Sequence, residues 1–165
     1  MIAPDRSIIA RHTTWRASAA SVEAGRRFKR FAIVHATATA RFVAHVDSTG
    51  ETRVLTRDEG IPLVLDPSES EMVTFAPMRQ VGAVEMAAIG VKELLNAGFA
   101  VHDVRDKAGG IEVEVRGSGT LLVFASSRPQ RVVVNGEQVD APYQAHVGVL
   151  SVPLPELESS VCITA

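Results

Sequence analysis

The chain has 165 residues, which suits one domain or at most two very small ones. With 46% hydrophobic and 22% charged residues it can bury a real core, and disorder along most of its length is excluded. A net charge of -2, with no block of Lys and Arg dominating one face, excludes the electrostatic footprint of a nucleic-acid binder.

In chain order, Met1 to Arg11 shows no pattern and is expected to be a disordered segment, so that residues 1–12 precede a domain over 13–165. Thr13 to Ala20 is read as a strand, followed by apolar or β-branched runs at Phe28–Val34 and Thr39–Val46. The basic run Arg26, Arg27, Lys29 and Arg30, interleaved with Phe28 and Phe31, is read as a solvated strand face. Ser48-Thr49-Gly50-Glu51 is a polar turn that joins Arg41–Val46 to Glu51–Leu55 as a hairpin. Asp58-Glu59-Gly60 turns the chain again, ahead of Ile61–Leu65, where Pro62 places the strand near an edge or a strand start. Met72–Ala76 is a further strand stopped by Pro77, and Val81–Ile89 is a longer apolar stretch. Val91–Asn96, ending before Gly98, is the one credible helical turn, and Phe99–Val104 resumes extended structure.

The second half carries the clearest signals. Ile111, Val113 and Val115 alternate with Glu112, Glu114 and Arg116, which sends one face inward and the other outward. Gly117-Ser118-Gly119 turns into Leu121–Ala125, which predicts a second hairpin. Arg131–Val134 runs into Asn135-Gly136, a dipeptide that tolerates positive φ and marks a tight hairpin. Val147–Val152 and Ser160–Thr164 complete an all-β chain, expected to form an antiparallel β-sandwich with at most a short helical turn.

Chemistry-bearing motifs are scarce. None of the five histidines (His12, His35, His45, His102, His146) has a partner at metal-ligand spacing. The single cysteine, Cys162, excludes an internal disulfide and reads as a buried, inert thiol between Val161 and Ile163. Gly117-Ser118-Gly119 lies between strands, the wrong context for a phosphate-cradling loop, and no cofactor is expected. Glu112 and Glu114 project from one strand face about 7 Å apart, a separation at which paired carboxylates could act on a glycoside, but they read as the solvated side of an alternating strand. Exposed aromatic side chains can stack on sugar rings, and the candidates for such a platform are Trp15 and Tyr143. No basic leader precedes a long apolar core, and no apolar run reaches about 18 residues, so neither secretion nor membrane insertion is indicated and a cytoplasmic setting is expected.

Val84–Val101 is similar to a region of the raffinose synthase and alkaline α-galactosidase family. The order Ala87-Ala88-Ile89-Gly90-Val91, then Leu94-Leu95-Asn96 and Gly98, resembles the family's Phe-Ala-Pro-Ile-Gly-Leu stretch and its Asn-bearing turn, with Ala88 in place of the usual proline. Gly50–Leu55 and Ile61–Pro77 resemble a strand–turn–strand unit upstream of it. Val115–Gly119 with Phe124–Pro129 resembles a Val-x-Gly-x-Gly hairpin, and Val134-Asn135-Gly136 with Leu150–Pro155 resembles the closing strands. The resemblance runs from about Thr13 to the end.

It implies a C-terminal β-sandwich that packs on an upstream catalytic (β/α)₈ barrel. In the family the barrel's aspartates transfer an α-galactosyl group from galactinol to sucrose or hydrolyse α-galactosides. This chain has no eight-fold β/α alternation, and the Asn-Cys-Gln-Gly stretch expected near a barrel's end is missing, so no catalytic residue carries over. The expected role is that of a non-catalytic accessory domain, detached or truncated, whose partner is the barrel. A free-standing carbohydrate-binding module and an interaction domain using a sheet edge remain open alternatives.

Overall fold

The structure is a computed structural model. The residues it describes are 13–18, 41–56, 59–61, 70–92, 94 and 97–165, with 13–18 described by their backbone alone. The expected N-terminal segment, the run at Phe28–Val34 with its basic residues, and the strand at Ile61–Leu65 beyond its first residue fall outside them.

Strands dominate. In chain order they are β1 (Thr13–Ser18), β2 (Arg41–Val46), β3 (Thr52–Thr56), β4 (Ser70–Pro77), β5 (Arg79–Val81), β6 (Val84–Val91) and β7 (Val101–Lys107). They continue with β8 (Gly110–Arg116), β9 (Gly119–Ala125), β10 (Arg131–Val134), β11 (Glu137–Gln138), β12 (Tyr143–Gln144), β13 (Val149–Leu154) and β14 (Glu158–Thr164). All pairings are antiparallel. They build a front sheet in the order β1-β4-β2-β3, a middle sheet β12-β13-β9-β6-β5 and a back sheet β11-β10-β14-β8-β7. The expected all-β, sandwich-like architecture is present.

Period-two alternation explains the layering. In the middle sheet Met86, Ala88, Leu121, Val123, Leu150 and Val152 pack against Ile111, Val113, Val161 and Ile163 of the back sheet. Their neighbours Ala87, Ile89, Leu122 and Val149 point the other way and pack with Val43, Ala76 and Met78 of the front sheet region. The middle sheet is therefore buried on both faces. Each fully buried Val, Leu or Ile contributes roughly 1.5–3 kcal/mol relative to exposure. The front sheet carries a further apolar cluster on its other face, with Ala44, Val46, Val73 and Phe75.

A bulge adjusts the phase of β6. Ala88 pairs with Val123 and Gly90 with Leu122, so Ile89 is an extra residue in the ladder. Ile89 faces the front core while Val91, one residue out of strict alternation, reaches the back core. Gly90 has φ +146°, and a Cβ there would lie 2.2 Å from the Ala97 carbonyl oxygen. Only glycine lets the connection after β6 fold back this closely.

The hairpins at Gly50 and at Asn135-Gly136 form as expected; Asn135 and Gly136 hold φ values of 52° and 89°. Three expectations are corrected. Val81–Ile89 is not one stretch: β5 and β6 are a hairpin around Gly82, whose φ is +58°. The start of the expected helical turn shifts: Val91 is fully buried opposite Leu121 and stays in β6, a 3-10 turn spans Ala97–Ala100, and Glu93, Leu95 and Asn96 lie outside the described residues. The Gly117–Gly119 turn does not close a hairpin. β8 pairs with β14 and β7, and β9 with β13 and β6, so this turn carries the chain from the back sheet to the middle one. Glycines report that the chain reverses, but not whether the returning strand pairs beside its predecessor or packs on top of it.

Candidate functional site

Two features of the described surface have the composition of functional sites. The first is a cleft of about 500 Å³ between the β2–β3 turn and the front-facing side of the middle sheet. The turn contributes His45, Asp47, Ser48, Thr49 and Gly50; the middle sheet contributes Thr120, Leu122, Val149 and Ser151, and Lys92, Gln144 and Val147 complete it.

The turn is held firmly. Val46 N–H donates to the Glu51 carbonyl at 2.9 Å and Gly50 N–H to the Val46 carbonyl at 2.9 Å. Ser48 donates from its hydroxyl to the Glu71 carboxylate, and Asp47 N–H donates to the Met72 carbonyl at 2.9 Å. His45 is 8% exposed, and its Nδ1 lies 2.9 Å from Thr52 Oγ1. The Thr52 hydroxyl can donate to His45 Nδ1 or accept from it, and it also lies 3.4 Å from the Gly50 carbonyl oxygen. Burial lowers the pKa of His45; Asp47 partly counters this and Lys92 adds to it. The imidazole is neutral at physiological pH, and the charges lining the described cleft, Asp47 and Lys92, cancel.

The second feature is apolar. The large hydrophobic side chains exposed among the described residues are Leu94 (38%), Phe99 (73%) and Leu157 (72%). Leu94 lies against Gly117 with its side chain, and Leu157 meets it through its backbone. A Cβ on Gly117 would lie 2.7 Å from Leu94 Cδ1 and 3.9 Å from the Cβ of Ala100, the neighbour of Phe99. Gly117 N–H donates to the Leu157 carbonyl at 2.6 Å.

The residues singled out from the sequence fall elsewhere. Trp15 sits opposite Val73 on the edge strand of the front sheet, and its side chain lies outside the described residues. Tyr143 is on the edge strand of the middle sheet, half-buried against the main core, with its hydroxyl donating to the Ala125 carbonyl at 2.9 Å. The two belong to different sheets. Glu112 and Glu114 do lie on the outer face of the back sheet, Glu112 3.1 Å from Lys107 Nζ and Glu114 2.9 Å from Arg105. A general acid needs a raised pKa, whereas the hydrogen bond from Lys107 lowers that of Glu112. Cys162 is half-buried on that same outer face rather than in the core, because Val161 and Ile163 take the inward positions. Burial and the neighbouring Glu112 raise its pKa, the opposite of what a thiolate nucleophile needs. Among the described residues no three His, Cys, Asp or Glu side chains are arranged to hold a metal ion, and no helix is long and apolar enough to cross a membrane.

The family described as raffinose synthase or seed imbibition protein Sip1 matches residues 13–154. The chain belongs to this family. A galactinol–sucrose galactosyltransferase of Oryza sativa subsp. japonica is 34% identical over 128 residues, which are 73% of this chain and 16% of the rice protein. A stachyose synthase of Pisum sativum is 28% identical over 121 residues, covering 72% of this chain and 14% of that protein. A probable galactinol–sucrose galactosyltransferase 1 of Arabidopsis thaliana is 31% identical over 117 residues, 66% of this chain and 16% of the relative. This raffinose synthase family chain thus spans about one-sixth of these relatives or less. The glycine that stands out in the matched region is Gly90, whose motif was legible in the sequence; its bulge and its contact with Ala97 were not.

Proposed function

We propose that this chain is the non-catalytic C-terminal β-sandwich of a raffinose-synthase-like protein, packed on a catalytic barrel and stabilising it. The observation that carries the reading is the exposure of three large apolar side chains, Leu94, Phe99 and Leu157. Phe99 and Leu157 leave most of their surface uncovered, as side chains that bury against a partner do in the free domain. The short span of the relatives covered by this chain supports the same reading, since most of each relative lies outside the match. The activity of such a whole protein would be galactosyl transfer to sucrose, with α-galactoside hydrolysis as the alternative. It would reside in the barrel.

An antibody to this chain tests the reading in source cells. The expected native product is far larger than 17.6 kDa. In that product Phe99→Ser with Leu157→Ser lowers thermal stability and transfer activity together. In the isolated chain the same pair changes stability by less than about 0.5 kcal/mol, as exposed substitutions do. A native product of 17.6 kDa, or equal effects in both settings, overturns the proposal.

A further inference from the structure

We infer that the cleft between the β2–β3 turn and the middle sheet binds a neutral, polyhydroxylated small molecule of one or two sugar rings. Its volume of about 500 Å³ falls within the range of small-molecule sites.

Charge selects the ligand class. Asp47 offers only acceptors and Lys92 only donors, and both line the cleft. An anion placed here would pair with Lys92 and oppose Asp47; a cation would do the reverse. A neutral ligand that both donates and accepts satisfies the two together, and a ring of neighbouring hydroxyls is such a ligand. The remaining polar lining agrees. Thr49, Gln144 and Ser151 each donate and accept, and the neutral His45 ring adds a further polar edge to the lining. Leu122 and Val149 supply an apolar strip suited to the C–H face of a ring. The site is also pre-formed. The turn's internal hydrogen bonds and its ties to β4 fix the donors and acceptors before a ligand arrives, which lowers the ordering cost of binding.

Titration of the ¹⁵N-labelled chain with sucrose, galactose and inorganic phosphate tests the inference. The expected result is saturable amide shifts at Thr49, Gly50, Gln144 and Ser151 for a sugar, with Kd on the order of 1–10 mM, and none for phosphate. Asp47 and Gln144 are exposed, so Asp47→Ala and Gln144→Ala keep the fold, seen as unchanged shift dispersion. Each weakens the sugar at least about fivefold through loss of a hydrogen bond. Arg131→Ala, on the back sheet, leaves affinity unchanged. Non-saturating shifts spread over the surface, preference for phosphate, or equal affinity in all variants overturns the inference. Leu94, Phe99 and Leu157 do not line the cleft, so a failure here leaves the accessory-domain reading standing, and the reverse holds.

Discussion

His45 shows how a single residue acquires a property that its sequence neighbours do not announce. It sits in a run of buried positions on β2, where burial lowers its pKa and Thr52 hydrogen-bonds its Nδ1. In the unfolded chain an imidazole takes up its proton near pH 6.5. In the folded chain it does so at lower pH, so the unfolded state binds more protons in the interval between. Stability is therefore complete above about pH 6.5 and falls as the pH drops through that interval, levelling off once the folded-state pKa is passed. Urea midpoints measured across this range should show the fall, and His45→Gln should flatten it while lowering stability at every pH. The cleft around His45 was not legible in the sequence. Asp47, Lys92, Gln144 and Ser151 are ordinary polar residues from separate elements, and only the stacking of the front sheet on the middle one brings them together. The exposed Leu157 was equally silent, because an isolated leucine between Glu156 and Glu158 carries no periodic signal.

At the scale of elements, two glycines with positive φ separate conformational cost from steric cost. Gly136 closes the β10–β11 hairpin with φ +89° and open space where a Cβ would go. Gly136→Ala should cost about 1–2 kcal/mol, the ordinary penalty for a left-handed residue. Gly90 combines φ +146° with a would-be Cβ 2.2 Å from the Ala97 carbonyl oxygen, inside a bulge that serves two cores. Gly90→Ala should cost roughly 3 kcal/mol or more, because backbone strain and a backbone clash add. Urea denaturation of both variants checks the ranking, and equal losses would remove the special role of the bulge. Strand identity was largely readable from the chain: alternation in Ile111–Val115 and the Asn135-Gly136 turn specify local geometry directly. Pairing was less so. The β8–β9 link looked like a hairpin because alternation and glycines are the same whether the next strand lies beside or across, and only core packing decides between them.

For the whole molecule, the decisive fact is that one sheet serves two interiors. Ile89 belongs to the core shared with the front sheet, and Val123 to the core shared with the back sheet. Truncating either should cost about 2–4 kcal/mol, since both are almost fully buried. Because both cores rest on the same strands, loss at one should be felt at the other. Ile89→Ala and Val123→Ala should each leave a single unfolding transition, with fluorescence and far-UV circular dichroism coincident. Separate transitions in either variant would show that the two interiors melt independently. The arrangement of strands along the chain adds a consequence. Among the described residues β1 to β4 pair only with one another and β5 to β14 only with one another, so no described ladder crosses Met78, the residue between β4 and β5. A break there would leave every described strand pairing intact within two pieces. Each piece would carry half of an apolar interface: Val43 and Ala76 on one, Ala87, Ile89, Leu122 and Val149 on the other. The molecule is, in this sense, a natural pair of complementing fragments joined by one residue, and the covalent link supplies proximity rather than structure.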